Sequence, residues 1–128
     1  MKDKIKLISF DINKTLIENN TWLELNLAMG MSKFEDEILM KWHKEGVIGY
    51  GEAQKIIERL YRAGGKATLV KIKEVVSRYT YKPFVRETID YLKDKGYEIA
   101  IVSASMDVLA GILANDLGGK FWWSKQYI

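Results

Sequence analysis

The residues able to do chemistry in this chain stand at two places. In "ISFDINKTLI", residues 8–17, an apolar run ends abruptly in a carboxylate, Asp11, with Asn13 and Thr15 close behind. Much later, in "YEIAIVSAS", residues 97–105, a second apolar run ends at Ser103, followed by Ala104. Each alone has an ordinary explanation: a strand-end Asp is commonly a turn residue, and a Ser before a helix is commonly its N-cap. The pair is harder to explain that way. A carboxylate facing a hydroxyl and the opening amides of a helix, around residues 104–106, calls for something between them. A divalent cation plus a phosphate meets both demands, because the cation neutralises Asp11 while the hydroxyl and amides hold phosphoryl oxygens.

Those groups meet only if the surrounding elements bring them together. Residues 5–10, "IKLISF", read as a short β-strand. Four helical segments follow. The first opens at Thr21 with Glu24 three residues on and runs to Gly30, and the second repeats the device with Ser32 and Glu35 and closes at Gly46. The third begins near Gly51 and stops at Gly64 and Gly65. The fourth covers about 68–79, with Leu69, Ile72, Val75, Val76 and Tyr79 on one face. The texture then changes: a helix led by Pro83 and ended by Gly96, a strand over 97–105, a helix over 106–119, and a third strand in "KFWWSKQYI". This rhythm predicts an α/β fold with a parallel sheet and crossover helices. The sheet core would be 1–17 with 80–128, and 18–79 an inserted helical bundle. Reactive groups in such sheets gather at the carboxyl ends of strands, where Asp11 and Ser103 fall.

Composition narrows the classes. With 128 residues the chain suits one compact domain with a small subdomain. Hydrophobic residues at 48% and charged residues at 29% argue against disorder. The net charge of +3 is mild, and the basic residues are scattered among acids, which reads as solvated helix faces and not as a nucleic-acid patch. There is no cysteine, which excludes disulfides and thiolate metal sites and suits a reducing cytosol, so a cytoplasmic protein is expected. The N-terminal apolar run is too short for a signal peptide or a membrane span, so no membrane partner is expected. Trp22, Phe34, Trp42 and Tyr50 are candidates to shape a pocket, with packing of the bundle core as the plainer reading. His43, the only histidine, lies among lysines and reads as a surface residue.

"FDINKTL" resembles the first motif of the haloacid dehalogenase (HAD) superfamily of phosphohydrolases, whose usual form is Asp-x-Asp-x-Thr-Leu after an apolar strand. "IVSAS" resembles its second motif. The helical insertion, with Trp22, Gly30 and Ser32 at their spacing, is similar to the small cap of the phosphoserine-phosphatase-like branch. The resemblance implies a Rossmann-like core carrying a helical cap, and a phosphatase acting on a small phosphomonoester. It implies Asp11 as nucleophile, forming an aspartyl-phosphate, and Mg²⁺ held by the Asp11 carboxylate and the backbone carbonyl of Asn13. Thr15 would hold the loop and orient the carboxylate, and Ser103 with the Ala104 amide would bind the phosphoryl group. The cap would close over the substrate and exclude water.

Two departures qualify this expectation. Asn13 stands where the family has a second Asp that protonates the leaving alkoxide and later activates water, and a carboxamide can do neither. The family's third motif, a lysine, and its fourth, an acidic pair, have no match before Ile128. An incomplete or impaired phosphatase is therefore expected, with a catalytically inactive binding or scaffold protein as the alternative. In phosphoserine-specific relatives a glutamate follows the nucleophile by nine residues; here that position is Asn20, which argues against phosphoserine as substrate. A sheet left short of strands is expected to self-associate or to dock a complementing C-terminal segment.

Overall fold

The computed structural model describes residues 6–126. Ile5 of the expected first strand, and residues 127 and 128 of the expected third, lie outside the described residues. In chain order the elements are β1 (Lys6–Phe10), α1 (Thr21–Ala28), α2 (Lys33–Lys44), α3 (Tyr50–Gly64), α4 (Leu69–Val76), α5 (Val85–Asp94), β2 (Tyr97–Met106), α6 (Asp107–Leu117) and β3 (Phe121–Gln126). The chain divides into two compact units, one formed by residues up to Asn19 together with those from Ser77 onward, the other by Asn20–Val76.

The first unit is the expected α/β layer. Its strands are parallel in the order β1-β2-β3, so β2 is central, and Phe10 stands level with Ile101 while Ser103 stands level with Ser124. Side chains alternate between the two faces, but burial follows the cover each face receives. Ile99 and Ile101 are buried and Ile8 and Phe10 half-buried on one face; on the other Ala100 is buried while Leu7 and Trp123 are each 53% exposed. Helix α6 covers the first face with Leu109, Ala110, Leu113, Ala114 and Leu117, all buried at helical spacing. A methyl group added at Gly111 would stand 3.7 Å from the Trp122 ring, an ordinary packing contact, so the helix passes over β3 at that residue. Burying each leucine contributes roughly 1.5–3 kcal/mol.

One local expectation is corrected. Strand β2 does not end at Ser103 but continues to Met106, with a register shift between those two residues. Helix α6 therefore opens at Asp107, with Met106 as N-cap in extended backbone. Met106 is fully buried, and the extra strand residues carry its side chain into the core, a use that bulges commonly serve. The amides of residues 104–106 belong to strand backbone, not to a helix N-terminus.

In the helical unit the second cap forms as expected. The Ser32 hydroxyl accepts from the Glu35 N–H at 3.0 Å and the Glu35 carboxylate accepts from the Ser32 N–H at 2.8 Å. The first does not. Asn20, not Thr21, caps α1, its side-chain oxygen accepting from the Leu23 N–H at 3.2 Å, while Thr21 is buried as the first helical residue. Helix α4 stops at Val76, short of the expected 79. Leu25, Met29, Leu39, Ile72, Val75 and Val76 form the core of this unit. Inside it Asn26 donates to the Asp36 carboxylate at 2.8 Å and accepts from the Tyr61 hydroxyl at 2.6 Å. Burial, and then the Asp36 charge, push the Tyr61 phenol upward. Three aromatics do not pack as expected: Phe34 is 71% exposed, and Trp42 and Tyr50 are exposed too. His43 is exposed, edge-on to Tyr50. No helix among the described residues is long and apolar enough to cross a membrane.

Phe84, the N-cap of α5, sits at φ +66° with 76% of its surface exposed. A bulky residue in the left-handed region costs about 1–2 kcal/mol, and glycine does not bear that cost. Little burial is lost on truncation, so Phe84→Gly is expected to stabilise the fold by about 1 kcal/mol, a rise in Tm of roughly 3 °C. Scanning calorimetry checks this; a lowered Tm would show that the Phe84 ring makes contacts worth more than the strain.

Candidate active site

Asp11 follows the last residue of β1 and is exposed. The chain then folds back on itself. The Ile12 carbonyl accepts from the N–H groups of Thr15 at 3.2 Å, Leu16 at 2.9 Å and Ile17 at 3.3 Å, and the Lys14 N–H donates to the Ile17 carbonyl at 3.2 Å. Ile12, Leu16 and Ile17 are buried beneath this turn, so apolar side chains spaced four and five apart pin it from below. Asp11, Lys14 and Thr15 are left exposed above them and Asn13 half-buried. Lys14 adopts φ +62°, one of two non-glycine residues with positive φ among the described residues; the other is Phe84.

The loop is tied to the segment that returns from the helical unit. Glu18 N–H donates to the Thr80 carbonyl at 3.0 Å and Lys82 N–H to the Leu16 carbonyl at 2.9 Å. The Asn19 side chain accepts from the Thr80 N–H at 2.6 Å and donates to the Arg78 carbonyl at 3.4 Å. The Lys82 ammonium donates to the Lys14 carbonyl, inside the loop itself. Below, Asp116 gathers the Tyr79 hydroxyl at 3.2 Å, the Arg86 guanidinium at 2.7 Å and the Tyr81 hydroxyl. The Tyr81 hydrogen bond, followed by the Arg86 charge, holds the Asp116 carboxyl below its usual range. Sequence reading missed Lys82 and Asp116, whose partners lie 68 and 35 residues away.

Ser103 is buried on β2, and Ala104 beyond it is exposed. Phe10 pairs with Ile101, so Asp11, just past the end of β1, and Ser103, within β2, lie toward the same side of two adjacent strands along their length. Asp11, Asn13 and Thr15 share one loop, and Ser103 and Ala104 stand on the neighbouring strand; the expected helix N-terminus is displaced to Asp107. Among the described residues, no group of three or more His, Cys, Asp or Glu could hold a metal ion. A cleft of about 160 Å³ lies behind the loop, with Phe10, Thr15 and Leu16 on one side and Pro83, Phe84 and Ile89 on the other.

Comparison with known proteins identifies the family to which the chain is similar. The model of the haloacid dehalogenase-like hydrolase family matches residues 8–123. The phosphoserine phosphatase of Methanocaldococcus jannaschii is 27% identical over 128 residues, 100% of this chain and 59% of its own length. A phosphoglycolate phosphatase of Haemophilus influenzae is 27% identical over 80% of this chain and 53% of its own. Among solved structures, a phospho-aspartyl intermediate analogue of phosphoserine phosphatase superposes with TM-score 0.70 at 28% identity, covering 94% of this chain and 56% of the other. A substrate-bound phosphoserine phosphatase complex superposes with TM-score 0.74 at 26% identity, over 96% and 57%. The chain thus spans little more than half the length of the curated relatives it matches.

Proposed function

Because the chain belongs to the haloacid dehalogenase-like hydrolases, we propose that it carries the nucleophile half of a phosphatase acting on a small phosphomonoester, in an impaired form. The observation that carries this reading is the turn built around the Ile12 carbonyl, which leaves the Asp11 carboxylate exposed at the end of β1, next to the stretch of β2 that carries Ser103. Asp11 attacks phosphorus, its Oδ forming the new P–O bond as the bond to the alkoxide breaks, and gives an aspartyl-phosphate. The likeness to a phospho-aspartyl analogue structure supports the same step. Thr15 braces the loop, and the Ser103 hydroxyl and Ala104 amide receive phosphoryl oxygens. Asn13 has no proton to give to the leaving oxygen, so the first step slows for poor leaving groups and the second lacks a base.

The donor set bears on Mg²⁺. Asp11 offers one exposed carboxylate and Asn13 a carbonyl oxygen, hard ligands of the kind Mg²⁺ takes while keeping several waters. Bound there, the ion would supply charge neutralisation at the carboxylate and the phosphoryl oxygens. With a single carboxylate and no acidic cluster among the described residues, affinity is expected to be weak. Titration calorimetry should give a Kd above about 10 μM, and a tighter value would require ligands from elsewhere.

Asn13 also favours a second reading, a binding protein without turnover. The two separate in one assay of p-nitrophenyl phosphate with Mg²⁺. Slow hydrolysis abolished by Asp11→Asn supports the phosphatase; none, even after Asn13→Asp, supports the binding protein. We also propose self-association through the sheet face bearing Leu7 and Trp123. Sedimentation at about 100 μM should then give a mass above the single-chain 14.8 kDa, and the single-chain value would refute it.

A further inference from the structure

We propose that Lys82 is a positioning residue of the nucleophile loop, fixing the left-handed turn at Lys14 and placing an uncompensated positive charge beside it. The inference rests on the reading of Asp11 as nucleophile and adds a residue to that site.

Lys82 is held at both ends. Its backbone N–H donates to Leu16, its ammonium donates to Lys14, and so it grips the loop on either side of Thr15. Pro83 follows it and restricts Lys82 to extended backbone, which narrows the directions its side chain can take. Both left-handed non-glycine residues among the described residues lie at this junction: Lys14, which receives the ammonium, and Phe84, two residues after Lys82. Residues keep such conformations only where their surroundings hold them, and such strain gathers at working sites. The hydrogen bond to the Lys14 carbonyl is one such hold, and it is charge-assisted.

Among the described residues the charge has no ion-pair partner. Lys82 is half-buried. Having given one N–H to a carbonyl, the ammonium keeps two more donors and its full charge. A loop that presents a carboxylate to an anionic phosphoryl group repels its own ligand, and a fixed cation on the same loop lessens that repulsion. The source is a lysine ahead of β2 in the chain, on the segment that returns from the helical unit.

Lys82→Gln and Lys82→Arg in the full chain test this with two readouts. The first is amide hydrogen exchange at residues 15–17 against exchange in α6. The second is uptake of beryllofluoride in the presence of Mg²⁺, followed by fluorine NMR. Lys82→Gln should speed exchange at the loop amides by about tenfold to a hundredfold, the scale of one lost charge-assisted hydrogen bond, and leave α6 unchanged. Beryllofluoride affinity should fall by a similar factor, and Lys82→Arg should restore both. Unchanged loop exchange in Lys82→Gln, an increase spread equally through α6, or a Lys82→Arg chain no better than Lys82→Gln would each overturn the proposal. If the parent chain takes up no beryllofluoride, the nucleophile reading of Asp11 fails, while the exchange comparison still decides on Lys82.

Discussion

Asn13→Asp is expected to raise the turnover of a simple alkyl phosphomonoester by about 10²–10⁴-fold, the usual worth of a positioned general acid–base. With p-nitrophenyl phosphate the gain in the first step should be far smaller, because nitrophenolate leaves without being protonated. Aspartate is nearly isosteric with asparagine, and position 13 is half-buried with its backbone bridged to Ile17. The diagnostic quantity is therefore the ratio of the two first-step gains, read from the burst of leaving group on both substrates, because clearance of the shared intermediate speeds equally for both. Equal first-step gains, or none in either step, would place the deficiency outside position 13.

Gly64→Ala should destabilise the helical unit, against what helix propensity alone predicts. At the last residue of α3, alanine would be favoured over glycine by roughly 0.8–1 kcal/mol. Space decides otherwise: a Cβ there would stand 2.2 Å from the Met29 carbonyl oxygen and 3.6 Å from the Cα of Gly30. Those are backbone atoms, which cannot rotate away, so the ends of α1 and α3 must part. Overpacking of this kind costs about 1–3 kcal/mol, and a net loss of about 1–2 kcal/mol is expected from the two terms. Urea unfolding followed by circular dichroism reads the sign directly, and a stabilised variant would mean that the two helix ends do not touch in solution.

The parts of the fold that sequence made legible are those with local causes. Ser32 and Glu35 form their capping box because both partners lie within one turn, and Gly64 and Gly65 end α3 where the left-handed φ of Gly65 is needed. The parallel sheet followed from apolar runs that end in turn residues and alternate with amphipathic helices. Near misses came where two residues compete for one role: Asn20 and Thr21 are both good caps, and burial of Thr21 decides for Asn20. Strand β2 outran its expected end because the buried Met106 draws the chain onward through a register shift, and hydrophobic periodicity does not report bulges. Asp11, Asn13 and Thr15 fall in one loop, a placement that their close spacing already dictated. Lys82 was not legible in the candidate site, because a lysine before a proline reads as a surface residue until its distant partner, the Lys14 carbonyl, is seen.

The central claim is that Asp11 takes the phosphoryl group. The most direct measurement is to incubate the chain with Mg²⁺ and p-nitrophenyl phosphate, quench in acid and reduce with borohydride, which converts an aspartyl-phosphate to homoserine, then sequence the peptides by mass spectrometry. The expected result is homoserine at position 11 alone, in higher yield than from Asn13→Asp, because Asn13 cannot activate the water that clears the intermediate. An intact Asp11 after nitrophenolate has been released, homoserine at any other acidic residue, or no release at all would contradict it.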